Sequence, residues 1–414
     1  MRKFFLIIMV TLCSLGSSLV AQQPFGYLFE KDQIRDTIRF TNESNLIVIP
    51  IKINGKGPYK FILDTGSESG MIFDQSIIDE AYIAGNRVVP IYSGNGELVT
   101  ELLVARTLDI VFGGIRGKSQ SMLVFQEYNL DIRNALGVDA MGILGSEIFN
   151  RFIVEVNYEE ELLILHDPRS FKKPRGYKKI PIELKDSRPF AAIEIKQKGQ
   201  RKARVNLLVD SGASSPLFLD AENNENITVP EDNIRHTVGN GLTGTIDGKV
   251  GRVQKLKIGP FKFSNVVTSF PINWEIEKKL KDKENDLIRY GTIGSDALSR
   301  FHVIYDYLNE VIYLKPNKKY RNKFHFNTIG FRIVALGEDY NEFFVSELIE
   351  NSDASKIGIN VGDQIIAING RPVSSFKFSE INSILRAEPA TKTILILRRN
   401  GVLIKKVIKH KKLI

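Results

Sequence analysis

The sequence predicts an all-β fold of two tandem β lobes, followed by a small α+β domain. Three observations carry this. Two apolar runs end in an acid, a hydroxyl residue and a glycine: Phe61-Ile62-Leu63-Asp64-Thr65-Gly66-Ser67 and Leu207-Leu208-Val209-Asp210-Ser211-Gly212-Ala213. The text after each run repeats at matching distances. Residues 324–414 then change texture, to Gly-Asp and Asn-Gly turns between short apolar runs.

An acid placed directly after three apolar residues marks the point where a buried strand breaks into a turn, and glycine permits the tight backbone there. One such run occurs by chance in roughly one chain of this length in twenty-five, and a single copy reads simply as a turn-forming Asp. Two copies in repeating halves are a different matter.

Taken in order, Met1-Arg2-Lys3 precedes the apolar stretch Phe4 to Leu12, and Leu19-Val20-Ala21 offers a small residue before Gln22. This is the pattern of a secretory signal peptide over residues 1–21, so the chain is expected to be exported, periplasmic or secreted. The one cysteine, Cys13, lies inside that segment and lacks the small residue before it that lipid anchoring needs. The mature chain then has no thiol and depends on a large core, which about 390 residues can supply. No later apolar run approaches the length of a membrane span. Residues 22–44 form an N-terminal segment; whether it is an activation segment stays open.

The first lobe is expected over 45–168 and the second over 180–318. Ser93-Gly94-Asn95-Gly96 and Gly239-Asn240-Gly241 each follow their acid by about thirty residues and read as hairpin tips, since Asn-Gly favours the two-residue turn. Gly142-Ile143-Leu144-Gly145-Ser146 leads to Arg151-Phe152 and Tyr158; Gly291-Thr292-Ile293-Gly294-Ser295 leads to Arg300-Phe301 and Tyr307. Gly145 to Tyr158 and Gly294 to Tyr307 have the same spacing, and both halves close in strand-like text, Glu161 to Leu165 and Val311 to Leu314. The halves are a duplicated β-rich unit.

This constellation resembles the aspartic peptidases, the retroviral-type unit and its duplicated, single-chain pepsin-like relatives. The resemblance covers about residues 45–318. Asp64-Thr65-Gly66-Ser67 is similar to the family's active-site motif, and Asp210-Ser211-Gly212-Ala213 to its second copy with Ser for Thr. Ile143-Leu144-Gly145 and Thr292-Ile293-Gly294 resemble the element that packs behind each active-site loop. The hairpins at 92–98 and 238–245 stand where the family carries flaps, which makes Tyr92, Gly94, Gly96, Gly239 and Gly241 the candidate flap residues. The short first flap and the small size of each repeat lean toward retroviral-type units, fused. Duplication makes pairing between chains unnecessary.

The resemblance implies an endopeptidase with Asp64 and Asp210 as its catalytic pair. Two carboxylates within about 3 Å share one proton. The ionised acid serves as base toward a water, and the protonated one polarises the scissile carbonyl. Thr65, Gly66, Ser67, Ser211, Gly212 and Ala213 would position them. Neither a cofactor nor a metal is required. The alternative is a catalytically silent peptide-binding or assembly protein with the same fold; retention of both acids speaks against it.

Other chemistries lack their context. Gly239 to Gly244 spells GxGxxG, but Thr245-Ile246-Asp247-Gly248-Lys249 is no amphipathic helix, so it reads as a hairpin. There is no Gly-x-Ser-x-Gly or His-Glu-x-x-His, and the five histidines (166, 236, 302, 325 and 410) have no ligand spacing. Much of the formal charge of +9 sits in two links, a basic linker at 169–179 and the run Lys315 to Lys323. Such linkers are ordinarily solvated, so no nucleic-acid partner is expected.

Residues 324–414 resemble a PDZ domain of the bacterial type. The matching text is Asn351 to Gly358 and Val361-Gly362-Asp363, followed by Gln364 to Ile368 and the Asn369-Gly370 turn. Ile329-Gly330-Phe331 is similar to the carboxylate-binding loop, which implies peptide C termini as ligands, added as a strand beside Phe331-Arg332-Ile333 against a helix from about Ser379 to Leu385. A PDZ domain that only braces the lobes is the other reading. The partners expected are peptide or protein substrates.

Overall fold

The computed structural model describes residues 26–92, 98–126, 138–241, 244–272, 289–337 and 341–414. Strands dominate, as two large sheets, a sheet shared between them and a separate C-terminal sheet.

The first lobe places Lys56–Leu63 at the middle of its sheet, between Leu46–Ile53 and the short strand Gly142–Leu144. The second lobe repeats this, with Lys202–Val209 between Arg188–Lys196 and Gly291–Ile293. In each lobe the short strand runs parallel to the acid-bearing one, pairing Leu144 with Leu63 and Ile293 with Val209. Strands buried on both faces read as continuous apolar runs rather than alternating ones. Phe61, Leu63, Leu207 and Val209 are accordingly at most 1% exposed.

The shared sheet joins the lobes. Its six strands run Lys178–Pro181, Val311–Pro316, Phe301–Asp306, Ile153–Asn157, Leu162–His166 and Arg35–Arg39, each antiparallel to the next. The lobes meet where Val154 pairs with Tyr305. The core under this sheet is continuous across both lobes and includes Phe149, Phe152, Phe301 and Tyr307. The N-terminal segment is part of the body: Gly26–Phe29 pairs with Ile115–Phe125, and Arg35–Arg39 closes one edge of the shared sheet.

The C-terminal domain has its own core, built on Ile329, Phe331, Phe343, Ile365, Ile381 and Leu397. Phe331–Leu336 is the edge strand of its sheet, and the helix Phe378–Leu385 packs Ile381 and Leu385 inward. The signal-peptide reading falls on residues 1–21, outside the described residues. Among the described residues, no helix is long and apolar enough to cross a membrane.

Candidate active site

Each acid sits on the turn that ends its central strand, and the short parallel strand fixes that turn. The Asp64 N–H donates to the Leu144 carbonyl at 2.9 Å, and the Asp210 N–H to Ile293 at 2.9 Å. Each carboxylate then takes N–H groups of its own loop. Asp64 Oδ1 accepts from Gly66 at 2.7 Å; Asp210 Oδ1 accepts from Gly212 at 2.8 Å and Ala213 at 3.0 Å.

The loops hold one another through two buried hydroxyls, Thr65 and Ser211, both 0% exposed. Thr65 Oγ1 donates to the Val209 carbonyl at 2.7 Å and accepts the Ser211 N–H at 2.9 Å. Ser211 Oγ donates to the Leu63 carbonyl at 2.9 Å and accepts the Thr65 N–H at 3.0 Å. Every donor and acceptor of both hydroxyls crosses between lobes, so a shift of one loop breaks four bonds in a dry site, where unmade bonds are costly.

The approach is close enough to require glycine. A Cβ on Gly66 would stand 2.7 Å from Asp210 Cγ, and one on Gly212 would fall on the Asp64 carboxyl. Burial, and then the neighbouring Asp210 charge, push the Asp64 carboxyl well above its ordinary value. The floor beneath is aromatic, with Phe149 stacked on Tyr307 at 5.4 Å and edge-on to Tyr305 at 5.3 Å. Burial, followed by the charges of Asp64 and Asp210, raises the Tyr307 hydroxyl well above its usual range and keeps it neutral.

Two hydroxyls not assigned from the sequence support these loops. Ser146 donates through its N–H to Ser67 O at 3.0 Å and through Oγ to Glu68 O at 2.6 Å. Ser295 donates through N–H and Oγ to Ala213 O, at 2.7 and 2.9 Å. The repeated Gly-Ser at 145–146 and 294–295 was the signal that marked them. Ser67 Oγ donates within its own loop, to Ser69 O at 2.8 Å.

Both acids line one cavity of about 1430 Å³, together with Gly239 of the second hairpin. That hairpin, Ile234–Gly241 with Gly244–Ile258, pairs Gly241 with Gly244. In the first lobe Tyr92 ends the strand Ile83–Tyr92 and pairs with Leu98. Gly94 and Gly96 lie outside the described residues.

The C-terminal domain leans on the second hairpin. A bulge between Thr237 and Gly239 interrupts pairing on this edge strand. Thr237 there donates its N–H to Glu347 Oε1 at 3.1 Å, and its carbonyl accepts from Arg332 Nη1 at 3.1 Å. Glu347 also meets His236 Nδ1 at 2.9 Å. Burial would raise the Glu347 carboxyl, but the His236 hydrogen bond and charge, with the Thr237 N–H and Arg332, outweigh it and lower it to about 2. The other histidines are also engaged: His166 with Glu155, His302 with Glu159, His325 with Glu388, and His410 between Thr328 and Thr393.

Ile329 and Phe331 point into the domain core at 1% and 0% exposed. Gly330 has φ +93° and abuts Ser352, which excludes a side chain. The N–H groups of Ile329 and Gly330 donate to Asn327 Oδ1 at 3.1 and 2.8 Å, and Asn327 Nδ2 donates to the Phe331 carbonyl at 2.6 Å.

An aspartyl protease family model matches residues 49–148 and 193–296, and a PDZ domain model matches residues 325–397. Over 59 residues the chain is 46% identical to the periplasmic pH-dependent serine endoprotease DegQ of Escherichia coli strain K12. That match spans 14% of this chain and 12% of DegQ. The paired acid loops and the domain behind them thus have family names: the chain carries two aspartyl protease repeats followed by a PDZ domain.

Proposed function

We propose that this chain is an exported aspartic endopeptidase that hydrolyses peptide bonds with a water activated between Asp64 and Asp210, aided by peptide binding at the PDZ domain. The observation that carries the reading is the reciprocal Thr65–Ser211 linkage, with both acids on the wall of one cavity. Burial and the neighbouring Asp210 charge push the Asp64 carboxyl up, which favours a proton held at the acid pair, as general acid–base hydrolysis needs. The proton belongs to the pair. The water attacks the carbonyl carbon as one acid takes its proton. The other acid protonates the carbonyl oxygen, and the tetrahedral intermediate then collapses with proton transfer to the leaving amine.

Gly239 and Gly241 of the second hairpin, with Tyr92, Gly94 and Gly96 of the first, are assigned to cover the substrate. The periplasmic location in the name of DegQ supports the export reading drawn from residues 1–21. Its serine chemistry is that protein's own.

The test is cleavage of a diverse peptide library by purified mature chain, wild type beside Asp64→Ala. Wild type should cut and the variant should not. Peptides carrying a hydroxyl in place of the scissile carbonyl, as mimics of the tetrahedral intermediate, should inhibit. EDTA should leave activity intact; activity lost to EDTA and restored by zinc would contradict the reading.

A further inference from the structure

The cavity that holds the two acids does not end at the flap. It runs on past Phe326 and Arg332 to Ile333 on the PDZ edge strand and to Ser379, Asn382 and Leu385 on the helix facing it. At about 1430 Å³ it exceeds the 300–1,000 Å³ of ordinary ligand pockets, so it has room for a length of extended chain. The wall is suited to such an occupant. Among the described residues Phe331–Leu336 pairs on one side only, with Glu342–Leu348, which leaves its other edge to accept a strand.

The end of the groove that would take a terminal carboxylate is already satisfied. The Asn327 amide accepts from the Ile329 and Gly330 N–H groups and donates to the Phe331 carbonyl. An incoming carboxylate would first have to displace the Asn327 amide, breaking all three of its bonds.

We propose that the PDZ groove is the distal part of a single substrate channel, and that it holds an internal stretch of the same extended polypeptide whose neighbouring stretch lies over Asp64 and Asp210. The inference rests on the endopeptidase reading for the acid end of the channel. It narrows the substrate class to long, unfolded polypeptides recognised along their length, with the terminal carboxylate unread. The flap clamp at Thr237 fits this arrangement, since Arg332 lies both on the channel wall and against the hairpin that covers the acids.

The experiment uses the full chain carrying Asp64→Asn, so that binding is read apart from hydrolysis. The probe is a dye-labelled, unstructured peptide of roughly thirty residues, ample to follow the channel at about 3.3 Å per residue. It is made with a free and with an amidated C terminus, beside a central piece of about eight residues. The long peptide should bind at least about tenfold tighter than the short piece, because its second segment is held at high effective concentration. Amidation should leave Kd unchanged. Asn382→Trp, which fills the groove from a half-buried position on the helix, should erase the advantage of the long peptide; Ser379→Trp replaces it should that variant fail to fold. Asn327→Ala, which frees the two N–H groups, should make binding sensitive to amidation.

Tenfold weaker binding of the amidated peptide to the Asp64→Asn chain would overturn the proposal, as would an advantage that survives both tryptophan variants. If the binding pattern holds while the library of the previous section goes uncut, the channel stands and the two-acid chemistry falls. The opposite pair of results removes the channel alone.

Discussion

Arg151 in the first lobe and Arg300 in the second stand at the same place in the repeat, six residues after Gly145 and Gly294. Arg151 donates from Nε to the Tyr27 carbonyl at 2.9 Å and so ties down the strand Gly26–Phe29. Arg300 turns to the other end of the body. It donates to the carbonyls of Asp296, Asn322 and Lys323, pairs with the Asp296 carboxylate at 3.3 Å and lies 3.6 Å over the Phe324 ring. One anchors the chain on entry; the other anchors the exit toward the PDZ domain.

The preceding helices diverge in the same way. Among the described residues Glu147 has no such cation, and burial pushes its carboxyl up, whereas Asp296 has Arg300 beside it. Nothing comparable divides the acid loops, where Thr65 and Ser211 make mirror-image bonds. Duplication has kept the linkage that positions the two acids symmetric, while the periphery of each lobe has specialised.

Symmetry at the centre is tested most severely by glycine. Gly212→Ala and Gly66→Ala each push a methyl group into the opposite carboxyl, so each should lower kcat/KM by about a hundredfold or more. A large loss in one variant and full activity in the other would break the symmetry.

Asymmetry at the periphery is next. Arg300→Ala removes the cation paired with the partly buried Asp296 and frees the linker, and should cost about 3 kcal/mol in equilibrium urea unfolding. Arg151→Ala loses one backbone bond and should cost about 1 kcal/mol. Equal costs would contradict the division of roles.

The contact between the second hairpin and the PDZ domain carries a pH signature. Glu347 is depressed from 4.5 to about 2 in the folded chain, so its contribution is fully present above pH 4.5 and is lost as pH falls toward 2. Allowing for solvent screening, Glu347→Gln should cost about 1 kcal/mol at pH 6. The melting-temperature gap between variant and wild type should close by pH 2. A gap independent of pH would show that the Glu347 charge plays no part.

The smallest effect is on stability at the acid pair. Burial and the neighbouring Asp210 charge raise the Asp64 carboxyl, so its ionisation at neutral pH opposes folding; Asp64→Asn should stabilise the chain at pH 7, read as a higher urea midpoint. Destabilisation there would indicate that the carboxylate is a structural bond acceptor.

Much of this centre was legible in the sequence because its parts are local and doubled. Acid, hydroxyl and glycine stand side by side in each copy, and the Ile-Leu-Gly and Thr-Ile-Gly elements recur at fixed distances. The joining sheet was harder to see. Ile153–Asn157 and Phe301–Asp306 are ordinary apolar strands whose pairing, 151 residues apart at Val154 and Tyr305, leaves no local mark. The Glu347–His236 contact spans 111 residues and depends on how two folded domains meet. Asn327 sits outside the Ile329-Gly330-Phe331 motif, and only the folded loop shows its amide closing the carboxylate site.

The central claim is that Asp64 and Asp210 act as one unit, and the most direct measurement is kcat/KM for Asp64→Asn, Asp210→Asn and the double variant on one cleaved peptide. Two groups sharing one proton are expected to fail together, so each single variant should fall to no more than about one per cent of wild type and the double should fall no further. A single variant that keeps more than about a tenth of the activity, or losses that multiply in the double, would contradict it.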